Sequence, residues 1–165
     1  MAPRWLRGTS FQASRTGGNR ALPPALYASG RGHCRAAPMR GETVLVVEDH
    51  PDILLTLRLT LESSGYTVIG AESAEEALDR LAAARPDLVL LDVTLPQMTG
   101  WELLGKIRAT EGIEALPVVM LTGHVGDEVS RQAVALGASG LLAKPFEVAK
   151  LTRTVRDALA AEGSG

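Results

Sequence analysis

From residue 43 onward, the sequence alternates between short apolar runs and longer segments whose apolar residues have helical spacing. Five apolar runs, at 43–47, 66–71, 88–91, 117–121 and 141–143, are each followed by a segment with apolar residues three or four positions apart. Such alternation is typical of a parallel sheet covered by helices on both faces. The sequence therefore predicts an α/β fold with a doubly wound, five-stranded parallel sheet and five helices.

Local signals place the ends of these helices. A first helix is expected over 51–64, starting at a proline and ending before a glycine. Ser73 with Glu76, and Thr99 with Glu102, predict capping boxes for the second and third helices. The fourth helix, 127–136, is expected to end at Gly137 in a left-handed conformation. The last helix, 147–161, is expected to turn four apolar residues inward: Val148, Leu151, Val155 and Leu159.

The first 41 residues have a different composition from the rest. They hold seven arginines and no Asp, Glu or Lys, whereas all 19 acidic and only ten of the 17 basic residues follow, a net charge of −9. Such a segment is expected to be disordered, which places the folded domain at 42–162. The segment is interpreted as an inert extension upstream of a start at Met39, with a weak electrostatic arm or an organelle-targeting peptide as the alternatives.

Polar side chains stand where the predicted strands end. Glu48 and Asp49 follow the first strand, Asp92 the third, Thr122 the fourth and Lys144 the fifth. The carboxyl ends of parallel strands meet at one edge, where open α/β sheets bind ligands. Clustered carboxylates repel one another unless a cation is present, and Mg²⁺ prefers oxygen ligands. Carboxylates, a metal and an ammonium group suit phosphoryl transfer, with Asp92 as the nucleophile.

Four sequence motifs lie at these positions: VLVVEDHPD, RPDLVLLDVTLPQMTGWELL, VVMLTG and GLLAKPF. Together they resemble the receiver domain of two-component response regulators, over about three quarters of the chain. The resemblance implies a flavodoxin-like sheet in the order 2-1-3-4-5. It also implies a phosphoacceptor domain that signals and does not turn over a metabolite.

The resemblance also implies a role for each site residue. Asp92 would accept the phosphoryl group, and Mg²⁺ would be held by Glu48, Asp49, Asp92 and the backbone carbonyl of Thr94. Thr122 would turn its hydroxyl toward the phosphoryl group, and Lys144 would pair with it. The bond before Pro145 is expected to be cis, as it often is in this family.

The resemblance implies partners as well. The expected donors are a histidine kinase, a histidine phosphotransfer protein or a small acyl phosphate, and a downstream protein partner would receive the signal. With one cysteine and no apolar stretch long enough to span a bilayer, the chain is expected to be cytoplasmic, without a membrane partner. A nucleic-acid partner is not expected. No output domain follows the last helix, so a stand-alone receiver, or the receiver fragment of a hybrid protein, is expected.

One position departs from the family pattern, and two alternative functions stay open. Leu141 stands where the family usually has Tyr or Phe, so coupling through an aromatic switch is in doubt. The alternatives are a pseudo-receiver that binds proteins without phosphorylation and a haloacid-dehalogenase-like phosphatase. Such phosphatases generally need an acid two residues after the nucleophile, where this chain has Thr94. His50 is expected at the mouth of the site, and His124 beside it, where it would shield the attacking water.

Overall fold

The computed structural model describes residues 41–163, so the predictions for the segment before Gly41 lie outside the described residues. Five parallel strands form one sheet in the order β2-β1-β3-β4-β5, as expected. The strands are β1 (Thr43–Val47), β2 (Thr67–Ala71), β3 (Leu88–Asp92), β4 (Val118–Thr122) and β5 (Gly140–Ala143). The helices are α1 (Pro51–Ser63), α2 (Ala74–Ala84), α3 (Gly100–Ala109), α4 (Asp127–Ala135) and α5 (Val148–Gly163). Each predicted element is present, and its ends differ from the predicted ones by at most two residues.

The central strands β1, β3 and β4 are apolar except for one end residue each, because both faces of the sheet are covered. Successive residues of β1 point to opposite faces: Leu45 belongs to a core shared with α2 and α3, and Val46 to a core shared with α1 and α5. On the second face, Leu57 and Leu61 of α1 and Leu151 and Val155 of α5 are fully buried. Because all neighbouring strands pair in parallel, their carboxyl ends lie at the same edge of the sheet.

The helix starts agree with the sequence signals in part. Thr99 and Glu102 form the predicted capping box at α3. At α2, Ser73 accepts a hydrogen bond from the Glu76 backbone, but the Glu76 carboxylate accepts from the backbone N–H of Glu72 at 2.9 Å. The first bond of the predicted capping box is therefore present, and the second was wrong. The Glu76 carboxylate accepts from the backbone of Glu72 and not from that of Ser73.

A second correction concerns Val148. Its side chain is 60% exposed, although its spacing from Leu151 predicted an inward position. Val148 is the first residue of α5, so it lies at the N-terminal end of the helix. The apolar residues that pack against the sheet start about one turn later, at Leu151. Among residues 41–163, no helix is long and apolar enough to cross a membrane.

The edge of the sheet where the strands begin is fastened by one arginine. The guanidinium group of Arg108, from α3, donates to the carbonyl oxygen of Gly137 at 2.6 and 3.0 Å, and to those of Glu114 and Leu116 at 3.1 and 2.8 Å. Gly137 has φ +81°, and a Cβ there would lie 3.1 Å from Arg108 Nε. Arg108 thus ties the end of α4 to the loop that leads into β4.

Replacing Arg108 with Ala is expected to lower the free energy of unfolding by about 1–3 kcal/mol, because three carbonyl groups lose a charged donor. Chemical denaturation monitored by circular dichroism measures this loss. The control is Arg131→Ala on the exposed side of α4, whose side chain makes no hydrogen bond or ion pair within the described region. Equal midpoints for the two variants would contradict the role assigned to Arg108.

Candidate acidic site at the carboxyl edge of the sheet

The candidate site lies where the order of the strands changes direction. From β1 the chain crosses to β2 on one side and then to β3 on the other, so β1 and β3 are neighbours with their helices on opposite faces. The crevice outside the carboxyl ends of such strands is the usual ligand site of an open α/β sheet. Glu48 and Asp49 directly follow β1, and Asp92 is the last residue of β3.

Two of these carboxylates are buried. The side chain of Glu48 has no exposed surface and that of Asp92 is 4% exposed, whereas Asp49 is 30% exposed. Buried carboxylates need a compensating charge, since removal from water strongly disfavours the ionised form. Burial, together with the charge of Glu48, raises the pKa of Asp92 above its usual value, and the Thr94 N–H and Lys144 oppose this rise.

Lys144 supplies the compensating charge. Its Nζ lies 2.6 Å from Oε2 of Glu48 and 3.2 Å from Oδ1 of Asp92. The backbone N–H of Lys144 donates to the Thr122 carbonyl at 2.7 Å, which fixes the start of the β5–α5 loop against the end of β4. The Lys144–Pro145 bond is cis, as the sequence resemblance implied. Lys144 therefore bridges Glu48, which follows β1, and Asp92, the last residue of β3.

The two oxygens of Asp92 differ in their surroundings. Oδ1 accepts from the backbone N–H of Thr94 at 3.2 Å and pairs with Lys144. Within residues 41–163, Oδ2 has no hydrogen-bond or ion-pair partner. A buried carboxylate oxygen without a partner is uncommon in folded proteins and indicates a place for a ligand.

The remaining predicted residues lie around this centre. The Thr122 hydroxyl donates to the carbonyl of His124 at 2.9 Å and accepts from its backbone N–H at 3.1 Å, so it closes a local turn. Leu141 is half-buried and packs against the core beneath α2 and α3. The loss of coupling through an aromatic ring at this position stays a prediction, as does the metal-binding role of the Thr94 carbonyl.

His50 makes contacts that the sequence did not predict. Its ring is 66% exposed, in keeping with the mouth of the site, but Nδ1 lies 3.2 Å from Glu48 Oε1 and 3.0 Å from Asp49 Oδ1. The hydrogen bond to Glu48 and the charge of Asp49 raise the pKa of His50 above 6.5. A histidine directly after an acidic pair was the only signal in the sequence, and sequence proximity alone does not fix a side-chain contact.

Gly100 is required because the start of α3 lies very close to the backbone of Asp92. A Cβ at this position would lie 2.1 Å from the backbone oxygen of Asp92 and 2.9 Å from Val93 Cα. The Gly100 N–H also donates to the Val93 carbonyl at 2.9 Å. The first residue of α3 is thus packed directly on the segment that carries Asp92.

Comparisons with known proteins agree with this geometry. A model of the family described as "Response regulator receiver domain" matches residues 44–156. An uncharacterized 14.6 kDa protein of Leptolyngbya boryana is 38% identical over 113 residues, which cover 68% of this chain and 86% of that protein. The phosphate regulon transcriptional regulatory protein PhoB of Pseudomonas aeruginosa is 32% identical over 127 residues, covering 77% of this chain and 56% of PhoB.

A solved structure gives the same result. The chemotaxis response regulator CheY4 of Vibrio cholerae is 34% identical, with a TM-score of 0.69, and the match covers 72% of this chain and 98% of CheY4. The chain spans about half the length of several relatives that it matches, PhoB and the transcriptional regulatory protein YkoG of Bacillus subtilis among them.

Replacing Gly100 with Ala is expected to lower the free energy of unfolding by about 1–3 kcal/mol, because the new methyl group overlaps the Asp92 backbone. Thermal or chemical denaturation measures the change. Gly105→Ala in the same helix is the matched control: nothing lies within 4 Å of a Cβ there. That variant is expected to be neutral or more stable by up to about 1 kcal/mol. A stable Gly100→Ala variant would contradict the packing described here.

In metal-free buffer, the His50 pKa is expected above 6.5 and should fall toward that value in Asp49→Asn and in Glu48→Gln. A raised pKa in the folded state stabilises the protein below the unfolded pKa, and this stabilisation is lost as the pH rises through the folded value. NMR titration of the ring protons measures the shift. Asp52→Asn, on the first turn of α1, is the control and should change the pKa less.

Proposed function

Because this chain belongs to the response regulator receiver domain family, we propose that it accepts a phosphoryl group on the side chain of Asp92. Receiver domains are signalling modules, and the relatives found include regulators of transcription. The observation that carries the proposal is Oδ2 of Asp92, which has no hydrogen-bond or ion-pair partner among residues 41–163, while Oδ1 of the same buried carboxylate is held by Lys144 and the Thr94 N–H.

The proposed reaction is an attack of Asp92 Oδ2 on the phosphorus atom of the donor. A bond forms between this oxygen and phosphorus, while the bond to the donor breaks and its electron pair leaves with the donor. The donor is the phosphorylated histidine of a kinase or phosphotransfer protein, or a small acyl phosphate. The product is an acyl phosphate on Asp92.

Lys144 and the strand ends would position the reacting groups. The Lys144 ammonium lies 3.2 Å from Oδ1, the other oxygen of the same carboxylate, where it can offset charge that spreads over the phosphoryl oxygens. The Thr94 N–H orients the carboxylate through its bond to Oδ1. The Thr122 hydroxyl is held only by a local turn and would be able to rotate toward the phosphoryl group.

The residues at this edge fit a magnesium ion. Glu48, Asp49, Asp92 and the carbonyl of Thr94 would hold it, and the donors are all oxygen atoms, as Mg²⁺ prefers. The acidic pair Glu48 and Asp49, next to the buried Asp92 carboxylate, supports this assignment. Mg²⁺ bound there would supply positive charge that the three carboxylates and a phosphoryl group require.

The consequence for signalling would be a shift in population between two states of the domain, biased by the phosphoryl group. Leu141 has no aromatic ring or hydroxyl that could move when Asp92 is phosphorylated. A role as a phosphate relay with little conformational change therefore fits this chain. The phosphatase alternative has little support, since Thr94 occupies the position where a second acid would be needed.

Incubation with acetyl phosphate and Mg²⁺, followed by intact mass measurement, tests the proposal. The wild type is expected to gain one phosphoryl group, and chelation of the metal should abolish the gain. Asp92→Asn should gain none, whereas Asp127→Asn, an exposed carboxylate on the first turn of α4, should react like the wild type. No gain in the wild type would favour the pseudo-receiver alternative, and a gain in Asp92→Asn would disprove the assigned acceptor.

A further inference from the structure

A groove of about 340 Å³ opens at the edge of the sheet where the strands begin, between the C-terminal ends of α2 and α3. Its apolar lining consists of Leu78, Leu81 and Ala82 from α2 and Ile113 from the loop after α3. Leu81 is buried, Leu78 and Ile113 are half-buried, and Ala82 is exposed. Within the described region, this apolar surface is therefore not fully covered.

The loop that forms one wall of the groove is held in place by hydrogen bonds. The Gly112 N–H donates to Glu114 Oε2 at 2.6 Å, and the Ile113 carbonyl accepts the N–H of Leu116 at 3.0 Å. Arg108 donates to the carbonyl groups of Glu114 and Leu116 from the other side of the loop. The groove is thus formed before anything binds, so an occupant would not have to order this loop.

Two charged side chains stand at the rim of the groove. Arg85 ends α2 in the left-handed conformation, with φ 50°, and Glu111 follows α3. Both are exposed, and among residues 41–163 neither side chain has a hydrogen-bond or ion-pair partner. A free guanidinium group can lie over an aromatic ring, and a free carboxylate can pair with an arginine.

The chain enters the folded domain next to this rim. The Thr43 N–H donates to Asp87 Oδ2 at 2.7 Å, and the Asp87 N–H donates to the Thr43 carbonyl at 2.7 Å. Asp87 comes two residues after Arg85, so their Cα atoms are at most about 7.6 Å apart. The segment before Gly41 therefore starts at the same edge of the sheet as the groove and close to it.

That segment contains a short apolar sequence, Leu-Pro-Pro-Ala-Leu-Tyr, at residues 22–27. Leu22, Leu26 and Tyr27 are large apolar side chains, and the two prolines reduce the backbone entropy that binding would cost. The 13 residues at 28–40 link it to the domain. A flexible chain of this length spans roughly 20 Å, which is enough to return to the groove.

We propose that residues 22–27 of the same chain dock in the groove between α2 and α3. The two leucines would cover the apolar lining, Tyr27 would lie against the Arg85 guanidinium group, and a neighbouring arginine of the segment would pair with Glu111. A short link gives an effective concentration of about 1 mM, so a contact that is weak between separate molecules suffices. The groove lies at the edge opposite Asp92, so this docking does not rest on the proposed function.

Isoleucine methyl NMR on the full chain tests the docking. All four isoleucines lie within the domain, and Ile113 lines the groove. Replacing Leu22, Leu26 and Tyr27 together with Ala is expected to move the Ile113 methyl signal, because the groove loses its occupant. The signal of Ile53, which packs on the opposite face of the sheet, should stay in place.

The matched control replaces three other large side chains of the segment, Trp5, Leu6 and Phe11, with Ala and should leave the Ile113 signal unchanged. An Ile113 signal that does not move when residues 22, 26 and 27 are replaced would overturn the docking. An equal movement in the control variant would overturn the assignment to residues 22–27. A wild-type signal that changes with protein concentration would overturn it too, because a second copy would then be the occupant.

A second experiment tests the groove side of the contact. A peptide of residues 18–31, added to the full chain with the three Ala replacements, is expected to return the Ile113 signal to its wild-type position. Ala82→Glu should raise the Kd of this peptide about ten-fold or more, because it places a charge in the apolar lining. Ala83→Glu, equally exposed on α2 but outside the groove, is the control. Equal Kd values for the two variants would overturn the proposed location.

Discussion

The ion pairs of Lys144 with Glu48 and Asp92 are the interactions on which the site depends. Two carboxylates lie almost completely inside the protein, and one ammonium group contacts both. An unpaired buried charge is strongly destabilising, whereas a well-paired one is roughly neutral for stability. The arrangement therefore adds little to the stability of the fold. Its significance lies in keeping an anionic side chain in a partly dry pocket, where charges interact strongly.

The fold makes this arrangement possible through its apolar strands. Because β1, β3 and β4 are buried on both faces, their interior positions are apolar, and the polar residues that end or directly follow them meet at one edge. Gly100 adds a second constraint, since α3 approaches the backbone of Asp92 more closely than any side chain permits. Packing beneath the site thus fixes where the carboxylates stand.

The two edges of the sheet differ in character. At the edge where the strands begin, Arg108 donates hydrogen bonds to backbone carbonyl groups of two loops. These bonds hold the loops in a fixed arrangement. At the edge where the strands end, buried charges balance one another, and Oδ2 of Asp92 has no partner in the part of the chain that the structure describes. The proposed phosphoryl transfer to Asp92 would need such incomplete satisfaction, because a fully paired carboxylate would react poorly.

The sequence determined the order of the elements and the edge at which the polar residues collect. Alternating apolar runs specify the parallel sheet, and a residue that directly follows such a run must lie at the edge where the strands end. The Thr99 capping box was predictable for the same reason, since its bonds span only three residues.

The tertiary structure alone decided which atoms meet. Lys144 and Glu48 are 96 residues apart, and their contact depends on the order of the strands and on side-chain rotamers. The contact of His50 with the acidic pair, the bond of Glu76 to Glu72 and the exposure of Val148 likewise depend on local directions that residue spacing does not encode. Periodicity fixes the face or edge on which a side chain lies, whereas distances of about 3 Å are fixed only when the packed elements restrict every rotamer.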